Sequence, residues 1–549
     1  MRRNVSAGIT VLAAVALLAA AVASTVAGLR ATAGQGYWAD GYYHLLAISI
    51  VDRFDPAALG VLAGCPVIAV LAVALQRWRR WTPPWVPGPR LQRLAALAIL
   101  VVGGVRLAHA VDGWWHAGGP NLILISIDTL RADRLGAYGY GLPTSPVIDR
   151  RLAAEGVTLE EVYSQSPKTT PSHMTMLTSL YPSVHGIEMW EEGTPGSVLS
   201  PRVYTLAEVL KEAGYATAAF TGGANLDRSR GFNQGFDIYK HDDQLGRARR
   251  WLAAHRGRKF FLFLHTYAVH DPYVPPPELV TQLAPDYRGP ILDAVARLRA
   301  GKGGWWDRHR VFWKSVDAAS PRDVEFVARL YDAGIRDMDR SWMAPLLDEL
   351  ERLGLARSTL VVFTADHGEA FGEHGVFLHD DLYRGTLHVP LILRLPGRLA
   401  AGRRVAAPAA LVDLMPTVLG ILGVPAPPAT QGRNLAPLVL GSAPDAPAED
   451  VVSEYSQPGS HRTYETLRRG PLTYMVDKDA ESLFDRTADP EERTNLLPVE
   501  VAEAEPLRAA LVRWRLAAAP LAARLGPRGD GVVPSAETER RLRALGYAE

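Results

Sequence analysis

Acidic and imidazole side chains follow two of the most apolar runs in this sequence. Asp128 comes directly after Asn121–Ile127, and Asp366 and His367 come one residue after Leu360–Thr364. Two buried carboxylates that lie close together repel each other unless a cation neutralises them. The pattern therefore predicts a metal site. The local alternative is that each aspartate is only a helix cap or a turn residue.

A hydroxyl suited to attack on an ester lies at Thr169. Pro171 fits the first turn of a helix and Thr170 fits its cap, which would place Thr169 just ahead of a helix amino terminus, where backbone N–H groups favour an anion. A free threonine hydroxyl is a poor nucleophile at neutral pH, but when bound to a divalent cation it can ionise and attack phosphorus or sulfur. The alternative is that Thr-Thr-Pro is a helix cap and nothing more.

The elements that must hold these residues alternate along the chain. Continuous apolar runs are typical of buried parallel strands, and helix-like stretches such as Arg202–Ala213 and Arg340–Leu353 separate them. This alternation predicts an α/β fold with a parallel sheet flanked by helices, in which ligands bind beyond the carboxyl ends of the strands. The predicted strands are Asn121–Ile127, Ala216–Phe220, Phe260–Leu264, Leu360–Thr364 and Pro390–Leu393.

Length and composition exclude several classes of protein. The chain has 549 residues, which is enough for two or three domains, and 48% of them are hydrophobic, which excludes a wholly disordered chain. A formal net charge of +1 argues against a general nucleic-acid-binding protein, so no nucleic-acid partner is expected. The single cysteine, Cys65, excludes an intramolecular disulfide and a thiolate metal cluster.

The first 117 residues have the pattern of a membrane region. Three apolar segments, about 5–29, 57–76 and 93–111, are long enough to span a bilayer, although Arg106 interrupts the third. By the positive-inside rule, the Arg-rich connection between the second and third segments predicts a multi-pass inner-membrane protein whose catalytic domain faces the periplasm or the cell exterior. The alternatives are a cleaved signal peptide at the first segment and a cytoplasmic domain if the third segment does not cross.

An ordered series of motifs from Asn121 to Asn495 resembles the sulfatase family of the alkaline phosphatase superfamily. The resemblance implies a sulfatase-like α/β fold with a smaller C-terminal subdomain, and an enzyme that acts on ester bonds with the help of a divalent metal ion. The motifs correspond to the first strand and metal-binding turn, the nucleophile segment, the second half of the metal site and later landmarks: Asn121–Asp133, Thr169–His173, Tyr331–Asp339, Val361–Glu369, His388–Ile392 and Leu483–Glu491.

The resemblance also implies a division of the chain into four parts. They are a membrane region at 1–117, a sulfatase-like catalytic domain at 118–440, a C-terminal subdomain at 441–510 and a helical tail at 511–549. Pro275–Val324 looks like an insertion into the family pattern and is rich in aromatic and basic residues. This segment either covers the substrate, touches a membrane surface or simply packs against the core.

Several positions depart from the family pattern. Sulfatases have Cys or Ser at the position of Thr169, which a maturation enzyme oxidises to formylglycine, and threonine cannot form that aldehyde. His173 stands in place of an arginine, Thr129 in place of a second aspartate and His367 in place of an asparagine, while Thr221–Leu226 lacks the substrate-binding Lys and His. The remaining set is similar to the phosphoethanolamine transferases and the phosphonate or phosphodiester hydrolases of the same superfamily.

Matching the motifs residue by residue implies roles for the candidate site residues. His379 is expected to protonate the leaving oxygen. His270 is expected to be a second substrate contact or a ligand of a second metal. For both histidines the alternative is a purely structural role. Zinc or manganese is favoured, with calcium or magnesium as alternatives. The implied metal ligands, of which the threonine is also the nucleophile, are Asp128, Thr169, Asp366 and His367.

Together these expectations describe a membrane-anchored, metal-dependent hydrolase or transferase of phosphate or sulfate esters, acting through Thr169. Phosphoryl chemistry is favoured. Two alternatives stay open, a sulfuric ester hydrolase with an unusual site and a catalytically degenerate sulfatase-like protein that binds or forms a scaffold. The expected partners are a membrane and a small-molecule, lipid-head-group or glycan ester, and the oligomeric state is open.

Overall fold

A computed structural model describes most of the chain beyond the amino-terminal segment. The described residues are 119–189, 196–242, 244–301, 305–443, 449–457, 462–478, 480–526 and 528–532, with the single positions 535, 538, 540 and 542. The three predicted membrane spans and most of the predicted helical tail after residue 526 lie outside them.

The predicted membrane location is corrected by the described part of the chain. No helix there combines the length and the apolar character needed to cross a bilayer. Val501–Leu525 has 25 residues, but charged side chains such as Arg508 and Arg515 interrupt it. The prediction of a multi-pass inner-membrane protein with a periplasmic catalytic domain is contradicted by this finding and is withdrawn.

An eight-stranded sheet forms the centre of the described fold. In chain order its strands are Asn121–Ile127 (β1), Val157–Leu159 (β2), Ala216–Phe220 (β3), Ile238–Lys240 (β4), Phe260–Thr266 (β5), Thr359–Thr364 (β6), Leu391–Arg394 (β7) and Arg403–Val405 (β8). Their order in the sheet is β8-β2-β7-β6-β1-β5-β3-β4, so the first described strand lies in the middle. The residues of β1, β5 and β6 are all buried, which explains why these strands are apolar along their whole length.

The sheet is mixed, whereas the sequence predicts a parallel one. β7 runs antiparallel to both of its neighbours, β6 and β2, while the other pairs are parallel. The predicted run at Pro390–Leu393 does form a strand, but an apolar run has the same appearance in either direction. The α/β class with helices packed against a central sheet is correct.

Both helices predicted from the sequence form, and each α-helix is shorter than predicted. Arg202–Ala213 contains the helix Leu206–Glu212, and Arg340–Leu353 contains the helix Ala344–Arg352. Leu206–Glu212 begins after a capping box in which Thr205 and Glu208 bond each other's backbone N–H groups. The α-helices of seven or more residues are Thr169–Thr178, Leu206–Glu212, Gln244–His255, Pro277–Leu283, Pro290–Ala300, Trp305–Trp313, Pro321–Met338, Ala344–Arg352, Leu414–Leu422 and Val501–Leu525. The shorter ones are Pro146–Ile148, Pro182–His185, Arg384–Leu387 and Ala436–Val439.

A second sheet follows the main one in sequence. Four antiparallel strands pair in chain order, and the long helix Val501–Leu525 follows them. This helix runs without a break across the predicted border between residues 510 and 511. The four strands are Val451–Gln457 (β9), Arg462–Arg469 (β10), Leu472–Asp477 (β11) and Ala480–Asp485 (β12). Smaller two-stranded pairs join Val162–Tyr163 to Ala409–Ala410, Ala370–Phe371 to Phe377–Leu378, and Gly196–Val198 to Arg528–Val532.

Candidate active site

Two neighbouring parallel strands, β1 and β6, end at one edge of the main sheet and bring three of the four predicted metal ligands together. Asp128 follows β1, and Asp366 and His367 follow β6. One ligand atom from each of these residues lies within 4.8 Å of the other two, and all three side chains are fully buried. These three residues are named the metal-ligand group below.

Each carboxylate of the metal-ligand group has one oxygen held by hydrogen bonds. Oδ2 of Asp128 accepts from Nε2 of His265 at 3.2 Å. Oδ1 of Asp366 accepts from the backbone N–H groups of Thr129 at 3.2 Å and His367 at 2.9 Å. The other oxygens, Oδ1 of Asp128 and Oδ2 of Asp366, are buried without a hydrogen-bonding partner in the described residues. A cation would satisfy both of them.

The imidazole of His367 presents its Nε2 atom to the same point. Its Nδ1 donates to the backbone carbonyl of Gly368 at 2.9 Å, which leaves the lone pair on Nε2. Burial lowers the pKa of His367 to about 4, so the ring is neutral at neutral pH. Nε2 lies 3.5 Å from Oδ2 of Asp366 and 3.5 Å from the hydroxyl of Thr169. Two carboxylate oxygens and one imidazole nitrogen form a donor set suited to zinc or manganese.

The charges of the metal-ligand group also fit a divalent ion. Burial and the charge of Asp128 together raise the pKa of Asp366 well above its ordinary value. Burial acts in the same direction on Asp128, but the hydrogen bond from His265 and the neighbouring histidines lower its pKa below the ordinary value. Ionisation of both carboxylates together is therefore disfavoured when no cation is bound. A divalent ion would neutralise both carboxylates and favour their ionised forms.

Thr169 lies in the first turn of the helix Thr169–Thr178 and is fully buried. This helix begins earlier than predicted, with Lys168 at its cap position and Pro171 as its third residue. Proline is tolerated there because the first N–H groups of a helix have no partner within it. The prediction of Thr170 as the cap is wrong, since its hydroxyl donates to a backbone carbonyl of another loop.

His173, which stands where the resembled family has an arginine, fixes the turn that carries Thr169. Its Nδ1 donates to the backbone carbonyl of Thr169 at 2.8 Å, and its Nε2 accepts from the hydroxyl of Ser126 at 2.9 Å. Burial lowers the pKa of His173 to about 3. The ring is therefore a neutral support beneath the hydroxyl and supplies no positive charge to an anionic substrate.

A second set of side chains lies beside the metal-ligand group. Nζ of Lys168 donates to Oδ1 of Asp380 at 2.5 Å and to Nδ1 of His379 at 3.2 Å. The hydroxyl of Tyr455 donates to the same oxygen of Asp380 at 3.1 Å. Since an ammonium group only donates, the neutral His379 ring carries its proton on Nε2. The rings of His379 and His367 have their centroids 4.5 Å apart. Lys168 and His379 are named the lysine–histidine pair below.

His270 lies next to His379, with 6.0 Å between the ring centroids, and the two residues are only 9% and 7% exposed. Nδ1 of His270 donates to the backbone carbonyl of Asp271 at 2.8 Å, so any base function falls to Nε2. Burial and the charge of Lys168 lower the pKa of His379 well below its ordinary value. Within the described ranges the metal-ligand group is the one cluster of its kind, so a second metal group around His270 is not found there.

The loop after β3 carries a buried amide. Nδ2 and Oδ1 of Asn225 have no hydrogen-bonding partner among the described residues. The loop backbone is fixed, since the N–H of Gly222 donates to Nδ1 of His265 at 3.2 Å and the carbonyl of Asn225 accepts from the hydroxyl of Thr170 at 2.9 Å. Ala224 has a φ of 51°, which is strained for a residue other than glycine. Asn225 thus brings unused hydrogen-bonding capacity to the start of the helix that carries Thr169.

Four residues of this arrangement were not predicted as site residues. His265 had a signal, because it lies at the end of a predicted strand, and Asp380 is adjacent to a predicted histidine. Asn225 occupies the loop in which a lysine and a histidine were expected. Tyr455 had no signal, since it belongs to the second sheet. The four are His265, Asn225, Asp380 and Tyr455.

Two family models match the chain. The model described as Sulfatase matches residues 120–424, which is more than half of the chain. The model described as N-sulphoglucosamine sulphohydrolase, C-terminal, matches residues 372–514. The two matches overlap at residues 372–424, which include the last two strands of the main sheet, and together they cover residues 120–514.

Known sulfatases and a phosphonate monoester hydrolase are similar to this chain. The steryl-sulfatase of Mus musculus is 28% identical to this chain, with 82% of this chain and 89% of that protein covered. Among solved structures, a 2-O GAG sulfatase has a TM-score of 0.58 at 19% identity, covering 75% of this chain and 95% of that one. The phosphonate monoester hydrolase of Agrobacterium radiobacter has a TM-score of 0.57 at 20% identity, covering 73% and 96%. These structural similarities establish the fold alone.

Proposed function

Because the chain belongs to the sulfatase family, we propose that it is a metal-dependent hydrolase of sulfate esters in which the Thr169 hydroxyl is the nucleophile. One observation carries this proposal. The three donor atoms of the metal-ligand group converge in a buried position, and the Thr169 hydroxyl lies 3.5 Å from one of them, Nε2 of His367. A helix cap alone would require no such convergence.

The metal-ligand group would hold the divalent ion, with the Thr169 hydroxyl as the fourth ligand. Zinc or manganese suits the mixed oxygen and nitrogen donors better than calcium or magnesium does. When bound, such an ion supplies positive charge against an anionic substrate and makes a nearby hydroxyl more acidic. His265, through its bond to Asp128, and the carbonyl of Gly368, through its bond to His367, would keep two of the ligands in orientation.

The side chains account for both bond changes of an ester hydrolysis. The Thr169 oxygen forms a bond to sulfur while its proton passes to solvent, and the bond from sulfur to the alcohol oxygen breaks. The Nε2–H of His379 donates to that leaving oxygen while Lys168 passes a proton to Nδ1. Lys168 then takes a proton from solvent, and His379 exchanges its ring proton with solvent to carry it on Nε2 again. A water molecule then takes the place of the threonine oxygen at sulfur, with His270 as its base. Threonine regains a proton, and the products are the alcohol and sulfate.

Phosphate or phosphonate monoesters are the second candidate substrates. The observation that favours them is Thr169 itself, because threonine cannot become the formylglycine on which the resembled sulfatases depend. The structural similarity to a phosphonate monoester hydrolase is consistent with this candidate. For a sulfate ester, the names of relatives such as steryl-sulfatase suggest a sterol or glycan sulfate as the substrate class.

Rates on four aryl esters test the proposal: a sulfate, a phosphate monoester, a phosphonate monoester and a phosphodiester. The purified full chain, loaded in turn with zinc and manganese, is compared with Thr169→Val, which keeps the shape of the side chain and removes the hydroxyl. We expect Thr169→Val to lose at least about 10³-fold in kcat on the preferred ester.

Thr170→Val is the matched control, since it removes the neighbouring hydroxyl of the same helix turn and leaves Thr169 in place. We expect it to retain most of the activity. Undiminished turnover by Thr169→Val would show that this threonine is not the nucleophile. A wild-type protein that binds metal and cleaves none of the esters would favour the degenerate binding or scaffold alternative.

A further inference from the structure

The helix Trp305–Trp313, named the insert helix here, contacts the chain beside His270. Nε1 of Trp313 donates to Oδ1 of Asp271 at 2.7 Å, and Nδ1 of His309 donates to Oδ2 of the same carboxylate at 2.7 Å. The carboxylate is buried completely, with 0% side-chain exposure. Two side chains of the insertion therefore donate to both oxygens of a buried carboxylate, and this carboxylate is adjacent to a site histidine.

Aromatic packing strengthens this contact. The ring of Tyr273 meets that of Phe312 edge to face with 5.7 Å between centroids, and Phe312 is fully buried. The hydroxyl of Tyr273 donates to Oε2 of Glu369 at 2.8 Å, on the loop that follows the metal ligands. The segment that carries His270 is therefore fixed between the insert helix and the metal side of the site.

The insert helix also contacts the approach to His379. The ring of Trp313 lies 5.2 Å from that of Phe377, which precedes His379 by two residues. One helix thus packs against the chain beside both histidines, whose ring centroids are 6.0 Å apart. Of the three roles considered for the insertion, these contacts favour packing against the core over a mobile cover or a contact with a membrane surface. The polar atoms of Trp313 and His309 bond the buried Asp271.

We propose that His309 and Trp313 are positioning residues for His270. The link is direct: Nδ1 of His270 donates to the backbone carbonyl of Asp271, and the insert helix fixes the side chain of that same residue. A rotation of Asp271 would move the acceptor that orients the imidazole. The inference rests on the proposed function insofar as His270 meets the substrate, but the contact itself does not depend on which ester is cleaved.

A double-mutant cycle tests the proposal in the full chain. We expect Trp313→Phe, which keeps an aromatic ring and removes the N–H donor, to lower kcat by about 10- to 100-fold with little change in KM. In a His270→Ala background the same change is expected to have no further effect. For the second donor, His309→Ala is expected to lower kcat, and His309→Asn, which keeps an N–H at a similar place, to restore most of it.

Arg310→Ala is the control on the same helix, because Arg310 pairs there with the exposed Asp307. We expect it to change neither kcat nor KM. An equal loss from Trp313→Phe with and without His270, or an equal loss from Arg310→Ala, would overturn the positioning role.

A spectroscopic measurement separates this inference from the proposed function. In the full chain labelled with ¹⁵N-histidine, the His270 ring signals are assigned by their loss in His270→Ala. We expect Trp313→Phe to shift them and Arg310→Ala to leave them in place. This readout needs no turnover, so a protein that cleaves no ester would refute the proposed function while still testing the contact. Unchanged His270 signals in Trp313→Phe would overturn the inference.

Discussion

The metal-ligand group and the lysine–histidine pair lie side by side but are built in different ways. The first rests on neighbouring strands of one sheet, and its supporting bonds come from residues close to the strand ends. The second joins a helix start to a loop and depends on Asp380 and on Tyr455 of the second sheet. In the proposed function, ion binding would therefore depend on the central sheet, whereas proton delivery would depend on the packing of the two sheets against each other.

Because the two groups are supported differently, mutations in them should have different effects on metal content and on the rate. Damage to the metal-ligand group should remove both the ion and the activity. Damage to the support of the lysine–histidine pair should leave the ion in place and lower the rate. The rings of His173 and His367 are neutral, so they give the metal side no positive charge in place of the ion.

The largest effect is expected from Asp366→Asn. The amide keeps an oxygen that can accept from Thr129 and His367 but lacks the charge that would hold a divalent ion. We expect metal to be lost and hydrolysis to fall at least about 10³-fold. In the metal-free state Tm should not fall, because burial and Asp128 already disfavour the charge of this carboxylate. Elemental analysis, ester kinetics and calorimetry provide the measurements.

Asp380→Asn is the matched control, since it alters a carboxylate of the other half by the same chemical change. It should keep the metal. If Asp366→Asn retained one ion per chain, the assignment of the metal-ligand group would fail.

A smaller effect is expected from Tyr455→Phe. The change removes one hydrogen bond to Asp380 and leaves the salt bridge from Lys168 in place. A lost hydrogen bond of about 1 kcal/mol corresponds to a roughly five-fold lower kcat, with the metal content unchanged. Tyr464→Phe, on the next strand of the same sheet, should have no such effect. A loss of metal in Tyr455→Phe would show that the two halves are not separable.

The smallest effect on the rate of hydrolysis is expected from Glu454, because its titration acts on the stability of the fold. Glu454 in β9 accepts from the backbone N–H of Ser183 at 2.7 Å, and burial raises its pKa from 4.5 to about 7. The folded protein therefore favours the neutral carboxyl, and this contribution is present below about pH 4.5 and lost as pH rises through about 7. The shift corresponds to at most about 3 kcal/mol.

Glu454→Gln keeps the acceptor and removes the titration. From about pH 5 to about pH 8 we expect the Tm of the wild type to fall relative to that of Glu454→Gln, with both proteins measured in the same metal. The metal ligands titrate equally in the two proteins, so their contribution cancels in the difference. Parallel Tm curves would contradict the raised pKa.

The metal side of the site could be predicted from the sequence because its signals are local. The apolar runs identify β1 and β6, and the rule that parallel strands end at one edge brings Asp128 to Asp366 and His367. The direction of β7 could not be predicted, since hydrophobic patterning carries no polarity. The start of the Thr169 helix was also misplaced, because proline fits any of the first helical positions.

The other half depends on contacts between residues far apart in sequence. Lys168 and Asp380 are 212 positions apart, and nothing in either local pattern indicates that they meet. Tyr455 lies in β9, whose contacts outside its own sheet are set by packing. The hydrogen bonds from the insert helix to Asp271 likewise depend on tertiary structure alone. Such residues become visible only once the fold is known.

The attachment of β9 has a practical consequence for recombinant work. A shortened protein ending near residue 440 would stop before β9. The hydroxyl of Ser453 donates to the carbonyl of Ser164 at 2.6 Å, and the N–H of Glu454 donates to that of Gln165 at 2.9 Å, only a few positions ahead of the nucleophile. A truncated enzyme would expose these carbonyls to water and free the turn they belong to. Expression and crystallisation should therefore retain all four strands of the second sheet.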